Sequence, residues 1–341
     1  MANLSSFSVA TFNLYNLQEA NKPVYQGRPW TDAEFKRKAD WISAQLELLN
    51  ADIVGLQELW SKKAIMDVIA TRGLEQDYDV LAEPADGSRI VCGALVRKGL
   101  LIGEPEWVGE FPEQVKLQSS DDPSDPQAPH IDVSINEFSR PVIRFKVELR
   151  QGEPPTEVFV VHLKSKLPTR IDAEPWYDRD VYQPHKEAIG AGISTIRRTA
   201  EAVATRVMLN TVMKGTQTPV IVLGDINDGH TSNTANILTS QPGISSVNPG
   251  VELMSGCTLP RRCRNTAIAG MSTTHTCIWI CVSPWTMCWS ASSSMTTAGT
   301  VAGCSTAWSS TTTISTSKII ENKARVITVS SRSTSPTSVR R

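Results

Sequence analysis

Four groups of polar residues in this 341-residue chain stand directly after apolar runs. Asn13 follows Val9-Ala-Thr-Phe, and Glu58 ends Asp52-Ile-Val-Gly-Leu-Gln-Glu58. His162 ends Val158-Phe-Val-Val-His162 and precedes Lys164 and Lys166. Asp225 and Asn227 end Val220-Ile-Val-Leu-Gly-Asp225-Ile-Asn227, with Asp228-Gly immediately after. Carboxylate and amide oxygens are hard ligands for a cation such as Mg²⁺. A carboxylate can also orient or deprotonate water, and a histidine can assist a departing oxygen. Together these are the groups that hydrolysis of a phosphoester requires. Taken singly, each has a plainer reading. A strand-end Asn or Glu is usually a cap, Asp225-Ile-Asn-Asp-Gly is a turn, and His162 flanked by lysines is a solvated strand end. Agreement of type, order and placement is what points to one site.

The elements that must position these groups are legible in outline. Apolar, β-branched runs at 7–12, 53–56, 90–96, 142–147, 158–161 and 220–223 predict strands. Buried strands fix the backbone, so the first residues past them project into a cleft at the sheet edge. Thr31 and Glu34 form a capping box ahead of a helix whose face carries Phe35, Ala39, Ile42, Leu46 and Leu49. A second helical pattern runs over 188–213. The Pro- and Asp-rich stretch 119–129 reads as a loop, and so does 168–185, long enough to be a functional lid.

Composition narrows the class. Forty per cent apolar and 20% charged residues are ordinary for a globular protein. No apolar run approaches the roughly 18 residues that cross a bilayer, and the N-terminus lacks the pattern of a signal peptide. The expected location is therefore the cytoplasm. The net charge of −1 hides an asymmetry, because residues 1–242 hold 25 Lys+Arg against 33 Asp+Glu and the remainder nine basic against two acidic. An acidic first part disfavours duplex DNA binding through many phosphate contacts.

Beyond Pro242 the character changes. Only Glu252 and Glu321 are acidic, Ser and Thr exceed a third of the residues, and six of the seven cysteines and four of the nine tryptophans lie there. No helical or strand period persists. Cys277-Ile-Trp-Ile-Cys281 matches no common zinc spacing.

The segments around Asn13, Glu58, His162 and Asp225/Asn227, in this order, resemble the endonuclease/exonuclease/phosphatase superfamily over residues 5 to about 242. The most specific parts are Gln57-Glu58 after an apolar strand and Gly224-Asp225-Ile-Asn227. The resemblance implies an α/β fold, a four-layer sandwich of two mixed β-sheets flanked by helices. It implies a metal-dependent phosphoester hydrolase using Mg²⁺, with Mn²⁺ as an alternative. Glu58 would hold the metal with Asn13 beside it. Asp225 would position or activate water, Asn227 would hold the phosphate, and His162 would act there as donor or acid. Arg140, in Phe138-Ser-Arg140-Pro, resembles the arginine the family sets near the phosphate, although in isolation it reads as a surface ion-pair partner. The substrate would be nucleic acid, a phospholipid head group or a small phosphoester.

The family completes its site with an Asp-His pair and a final Ser-Asp-His-Gly, and neither is present. No aspartate follows Asp228, and the only histidines after His185 are His230 and His275. The genetic code suggests why. Trp285-Thr-Met-Cys-Trp289 must be encoded TGG-ACN-ATG-TGY-TGG. Read two nucleotides later, it gives Asp, then Asn, Asp, His or Tyr, then Val-Leu, which fits the family's Asp-His-Val-Leu. The same shift makes Arg325-Val-Ile-Thr-Val329 compatible with Ser-Asp-His-Gly, and 259–280 with an acidic, aromatic segment. The expected organisation is an incomplete domain over 1–242 and an out-of-frame, disordered segment over 243–341, so that the final strands are missing. The alternative function is a catalytically dead product that retains only metal or phosphate binding.

Overall fold

The computed structural model describes residues 6–239, apart from 26, 122, 123, 125, 126, 128, 151, 217, 230 and 231, together with the backbone of four later strands. In chain order the elements begin β1 (Ser6–Leu17), α1 (Asp32–Leu49), β2 (Ile53–Ser61), α2 (Lys62–Ala70), β3 (Tyr78–Leu81), β4 (Asp86–Arg97) and β5 (Leu101–Glu110). The short β6 (Gln118–Ser119) and β7 (Ile131–Asp132) follow, then β8 (Glu137–Val147), β9 (Thr156–His162), α3 (Arg179–Tyr182) and α4 (Lys186–Met213). Then come β10 (Val220–Asp225), α5 (Asn233–Thr239), β11 (Thr276–Val282), β12 (Thr286–Ser290), β13 (Ser310–Ser317) and β14 (Ala324–Ser333).

Two sheets carry the architecture. One contains β1-β2-β4-β3 and is extended by β14 and β13; the other contains β10-β9-β8-β5 and is extended by β11 and β12. β1 runs parallel to β2, and β2 antiparallel to β4, so the first sheet is mixed. This is the mixed α/β class that the sequence predicts. The predicted boundary at Pro242, the codon argument and most of 243–341 lie outside the described residues. Of that segment only the backbone of β11–β14 is described, β14 antiparallel to β1 and β11 antiparallel to β10.

By internal contacts the chain divides into one unit of Met1–Pro105, Phe145–Val160 and Ser293–Arg341, and another of Glu106–Arg144 and Val161–Ser292. In the first, α1 starts where the sequence predicts, with both halves of the Thr31/Glu34 capping box formed. It ends at Asn50, whose φ of 41° is the left-handed conformation that asparagine tolerates. Ala39, Ile42, Leu46 and Leu49 are buried, and they join Phe12, Leu14, Val54, Leu56, Ile65 and Val68 in one core. Truncating Ile42 or Leu46 to alanine there would cost about 2–5 kcal/mol.

In the second unit the buried side chains of α4 include Ser194, Arg198, Glu201 and Thr205, spaced to fall on one face. Burying charge without partners is expensive, so this stripe must be hydrogen-bonded, and its partners lie around the candidate site. The predicted loop 168–185 carries the single turn of α3.

Candidate functional site

In the first unit, Asn13 and Glu58 lie where β1 and β2 leave regular geometry together. Their pairing shifts between Asn13 and Leu17, and the pairing of β2 with β4 shifts between Leu56 and Leu59. An irregularity of this kind re-aims a side chain. Glu58 sits inside the second one with φ 58°, and Tyr15 and Asn16 sit inside the first with φ 50° and 53°. Left-handed backbone at a residue other than glycine costs about 1–3 kcal/mol and concentrates at functional positions. The conformation turns the Glu58 carboxylate toward β1. There Asn13 Nδ2 donates to Glu58 Oε1 (2.8 Å) and the Asn16 N–H donates to Oε2 (3.0 Å). The Tyr15 N–H in turn donates to Asn13 Oδ1 (2.9 Å). Below them, buried Thr11 Oγ1 donates to Gln57 Oε1 (3.1 Å) and ties the two strands.

As a metal site this is a small set of hard oxygens: one carboxylate, with an amide oxygen next to it. No group of three or more His, Cys, Asp or Glu residues able to hold a metal occurs among the described residues. Mg²⁺ binds with one or two protein carboxylates and keeps waters or phosphate oxygens as its other ligands. Glu58 and Asn13 fit that ion by donor chemistry.

In the second unit, the other predicted residues gather around Leu163. Arg140 Nη1 donates to the Leu163 carbonyl (3.2 Å), and so does Asn227 Nδ2 (2.9 Å). The Leu163 N–H donates to the Asp225 carbonyl (3.0 Å). His162 precedes it in the chain and is 4% exposed, while Asp225 is 2% exposed. The backbone of one residue thus meets the side chains of Arg140 and Asn227 and the main chain of Asp225 directly after His162, the four residues that the sequence reading expects at a phosphate. Arg140, expected in isolation to be an ion-pair partner, instead meets backbone carbonyls.

Gly224 makes this approach possible. Its φ is 150°, and a Cβ there would lie 2.0 Å from the Val161 carbonyl oxygen. Only glycine lets β10 lie this close to the end of β9. Past it, Asn227 takes φ 52°, and its N–H donates to Asp225 Oδ1 (2.9 Å). The short polar side chain of asparagine makes this conformation accessible.

Helix α4 supplies residues that the sequence reading missed. Glu201, 1% exposed, accepts from the Ser139 N–H (2.9 Å), the Ser139 hydroxyl and the Lys164 N–H (2.6 Å). It therefore braces the residue before Arg140 and the second residue after His162. One turn earlier, Arg198 donates to the carbonyls of Lys164 (3.3 Å) and Ser165 (3.4 Å). It also pairs with Asp228 (3.4 Å).

Asp228 is itself a node. It pairs with Lys166 (3.0 Å) and accepts from Thr234 Oγ1 (2.7 Å) and the Gly229 N–H (2.9 Å). Burial pushes its carboxyl up, but the hydrogen bonds from Thr234, Lys166 and Gly229 and the Lys166 charge outweigh this and hold it at about 2. Burial lowers the Lys164 ammonium from its ordinary value. The charges of Arg140, Arg197 and Arg198 push it the same way, against Glu201. The predicted residues therefore fall into two groups, Asn13 with Glu58 in one unit, and Arg140, His162, Asp225 and Asn227 in the other.

No family model matches the chain, and no curated protein does. Solved structures similar to it include truncated Caenorhabditis elegans TDP2, at 11% identity and TM-score 0.45, covering 95% of this chain and 97% of that one. The human Nocturnin catalytic domain with bound sulfate anion has 14% identity and TM-score 0.39, covering 69% of each chain. Another, TDP2 from C. elegans, has 13% identity and TM-score 0.38 over 66% of this chain, which spans only 48% of its length. No helix among the described residues is long and apolar enough to cross a membrane.

Proposed function

We propose that this chain is a metal-dependent phosphoester hydrolase that directs water at a phosphodiester or phosphomonoester. The observation that carries the reading is the convergence on Leu163. Arg140 and Asn227 both donate to its carbonyl, the backbone carbonyl of Asp225 accepts from its N–H, and His162 is its neighbour in the chain. A guanidinium has five N–H groups and a primary amide two. The bonds to Leu163 therefore orient Arg140 and Asn227 while leaving donors for phosphate oxygens. The Asp225 carboxylate, aligned by the Asn227 N–H, accepts a proton from the attacking water. His162 donates to the phosphate or to the departing oxygen. Glu58, with Asn13, would hold Mg²⁺ or Mn²⁺, and the ion when bound neutralises charge on a phosphoryl oxygen.

The test is turnover of a simple phosphodiester with Mg²⁺. Asp225→Ala should lower it by several orders of magnitude, because grouped catalytic residues act as a unit. His162→Ala and Asn227→Ala should each lower it about 100-fold. Parent rates in all three would remove the assignment.

A second reading rests on one sequence fact, that no aspartate follows Asp228. On that reading residues 1–242 form an incomplete domain, 243–341 are translated out of frame, and the chain binds metal or phosphate without turnover. Sequencing the gene across the Pro242 codon separates the two. So does expression of a frame-corrected chain, which should gain Mg²⁺-dependent activity over the chain as it stands.

A further inference from the structure

Asn227 stands in left-handed backbone, φ 52°, and such a conformation persists only where its surroundings over-determine it. On one side its N–H donates to Asp225 Oδ1 at 2.9 Å. On the other side the grip falls on the next residue, Asp228, whose carboxylate is held from its own turn and from three other parts of the chain. Lys166, in the segment after β9, pairs with Oδ1 at 3.0 Å, and the Gly229 N–H donates to the same oxygen at 2.9 Å. Thr234 of α5 donates to Oδ2 at 2.7 Å, and Arg198 Nε of α4 stands 3.4 Å from it. Arg198 also holds the segment after β9. Its side chain is 5% exposed, and Nη1 donates to the carbonyls of Lys164 (3.3 Å) and Ser165 (3.4 Å).

The segments that leave β9 and β10 are thus tied to each other twice. The first tie is at Leu163, where Asn227 Nδ2 donates to the carbonyl and the Asp225 carbonyl accepts from the N–H. The second is the Arg198–Asp228 pair. A single tie is a pivot; a second removes rotation about it, and with it the freedom of the Asn227 amide to swing. The chemistry of the pair argues for this purpose. Replacing a buried ion pair by apolar residues of similar volume is often neutral or stabilising, so such a pair is weak evidence of stabilisation. What it supplies instead is direction. A guanidinium is a rigid planar fork that bonds carbonyls with one nitrogen and faces a carboxylate with another, whereas a lysine offers a single nitrogen. We propose that Arg198 and Asp228 are a positioning pair, through which α4 fixes the direction in which Asn227 offers its amide to the substrate phosphate. Neither residue touches the substrate, and both act through Asn227. This deepens the phosphoester-hydrolase reading and rests on it.

The experiment is a double-mutant cycle in the full chain. It reads turnover of a simple phosphodiester with Mg²⁺, corrected for the folded fraction by urea unfolding. Arg198→Met, an unbranched apolar replacement, should lower kcat about 100-fold, as a displacement of about 1 Å does, and change KM less than about twofold. Arg198→Lys, which keeps the charge, should recover part of that loss. In an Asn227→Ala background, itself lowered about 100-fold, Arg198→Met should cost less than about threefold more, because residues that act as a unit do not lose activity multiplicatively. Asp228→Asn, of the same shape, should give the same pattern and carries the cycle if Arg198→Met does not fold. A further loss of about 100-fold in the Asn227→Ala background is what an independent structural role would give. That result, or parent turnover in Arg198→Met, overturns the positioning role. Failure of the hydrolase reading is distinct, for then turnover of the parent is indifferent to Asp225→Ala, and the positioning role falls with it.

Discussion

Glu201 offers the sharpest test of how the site is held. It is a fully buried carboxylate on α4 that accepts three hydrogen bonds, two from Ser139 and one from the Lys164 backbone. Bonds to an ionised acceptor contribute about 1.5–3 kcal/mol each, and an orphaned buried donor costs about 1–3 kcal/mol. These terms overlap, because the bonds form one network, and breaking one partner of a buried charged cluster costs about 3–5 kcal/mol in all. Glu201→Ala should therefore lose about 3–5 kcal/mol, a large part of a typical domain's 5–15 kcal/mol. Glu201→Gln keeps one acceptor oxygen of the same shape but turns an N–H donor toward other donors, and should lose about 1–3 kcal/mol. Urea unfolding checks both, through a lower midpoint at unchanged slope. The same variants should lower turnover beyond what stability explains. Ser139 precedes Arg140 and Lys164 lies two residues past His162, so loosening them misplaces both groups, and a shift of about 1 Å can cost about 100-fold. If Glu201→Ala unfolds within about 0.5 kcal/mol of the parent, the range of an ordinary surface change, the bracing argument fails.

Three further outcomes are expected. Glu58→Gln should lower Mg²⁺ affinity in calorimetric titration, and equal affinity in the two proteins would take Glu58 out of any metal site. Asp228, held at about 2 in the fold, should contribute stability that is present above its unfolded value of about 4 and lost as pH falls through about 2. Asp228→Asn should flatten that acid limb, which urea midpoints taken between pH 6 and pH 2 would show. Gly224→Ala would place a Cβ 2.0 Å from the Val161 carbonyl oxygen. Backbone displacement and conformational strain should together cost about 2–6 kcal/mol, seen as a sharply lowered melting temperature or loss of soluble protein.

The parts of this site that were legible in the sequence are those encoded locally. A buried strand is a short apolar run, so the strand ends at His162 and Asp225 could be located from their neighbours alone, whereas Asn13 and Glu58, also expected at strand ends, lie inside β1 and β2 at shifts of pairing that extend both strands past the apolar run. The start of α1 could be read from Thr31 and Glu34, whose capping box is a four-residue pattern. β5 was missed because Leu101-Ile-Gly-Glu-Pro-Glu-Trp-Val-Gly-Glu does not alternate and contains a proline. The left-handed conformations of Glu58 and Asn227 were missed for another reason. Neither is glycine, so nothing local announces them, and only the surrounding strands over-determine the strain. Arg198 and Glu201 did leave a trace, as charged residues three apart among the apolar positions of α4. A charge in that place has to find partners, and the pattern predicts that need without naming them. Ser139 is 62 residues away in sequence and Lys164 is 37. The residues proposed for the chemistry thus follow short apolar runs, at the ends of β9 and β10 and at the irregularities of β1 and β2, where a single sequence can be read. The groups that hold those ends in place come from a helix whose partners only the fold can supply, and a site defined by its strand-end residues alone leaves out the helix that aligns them.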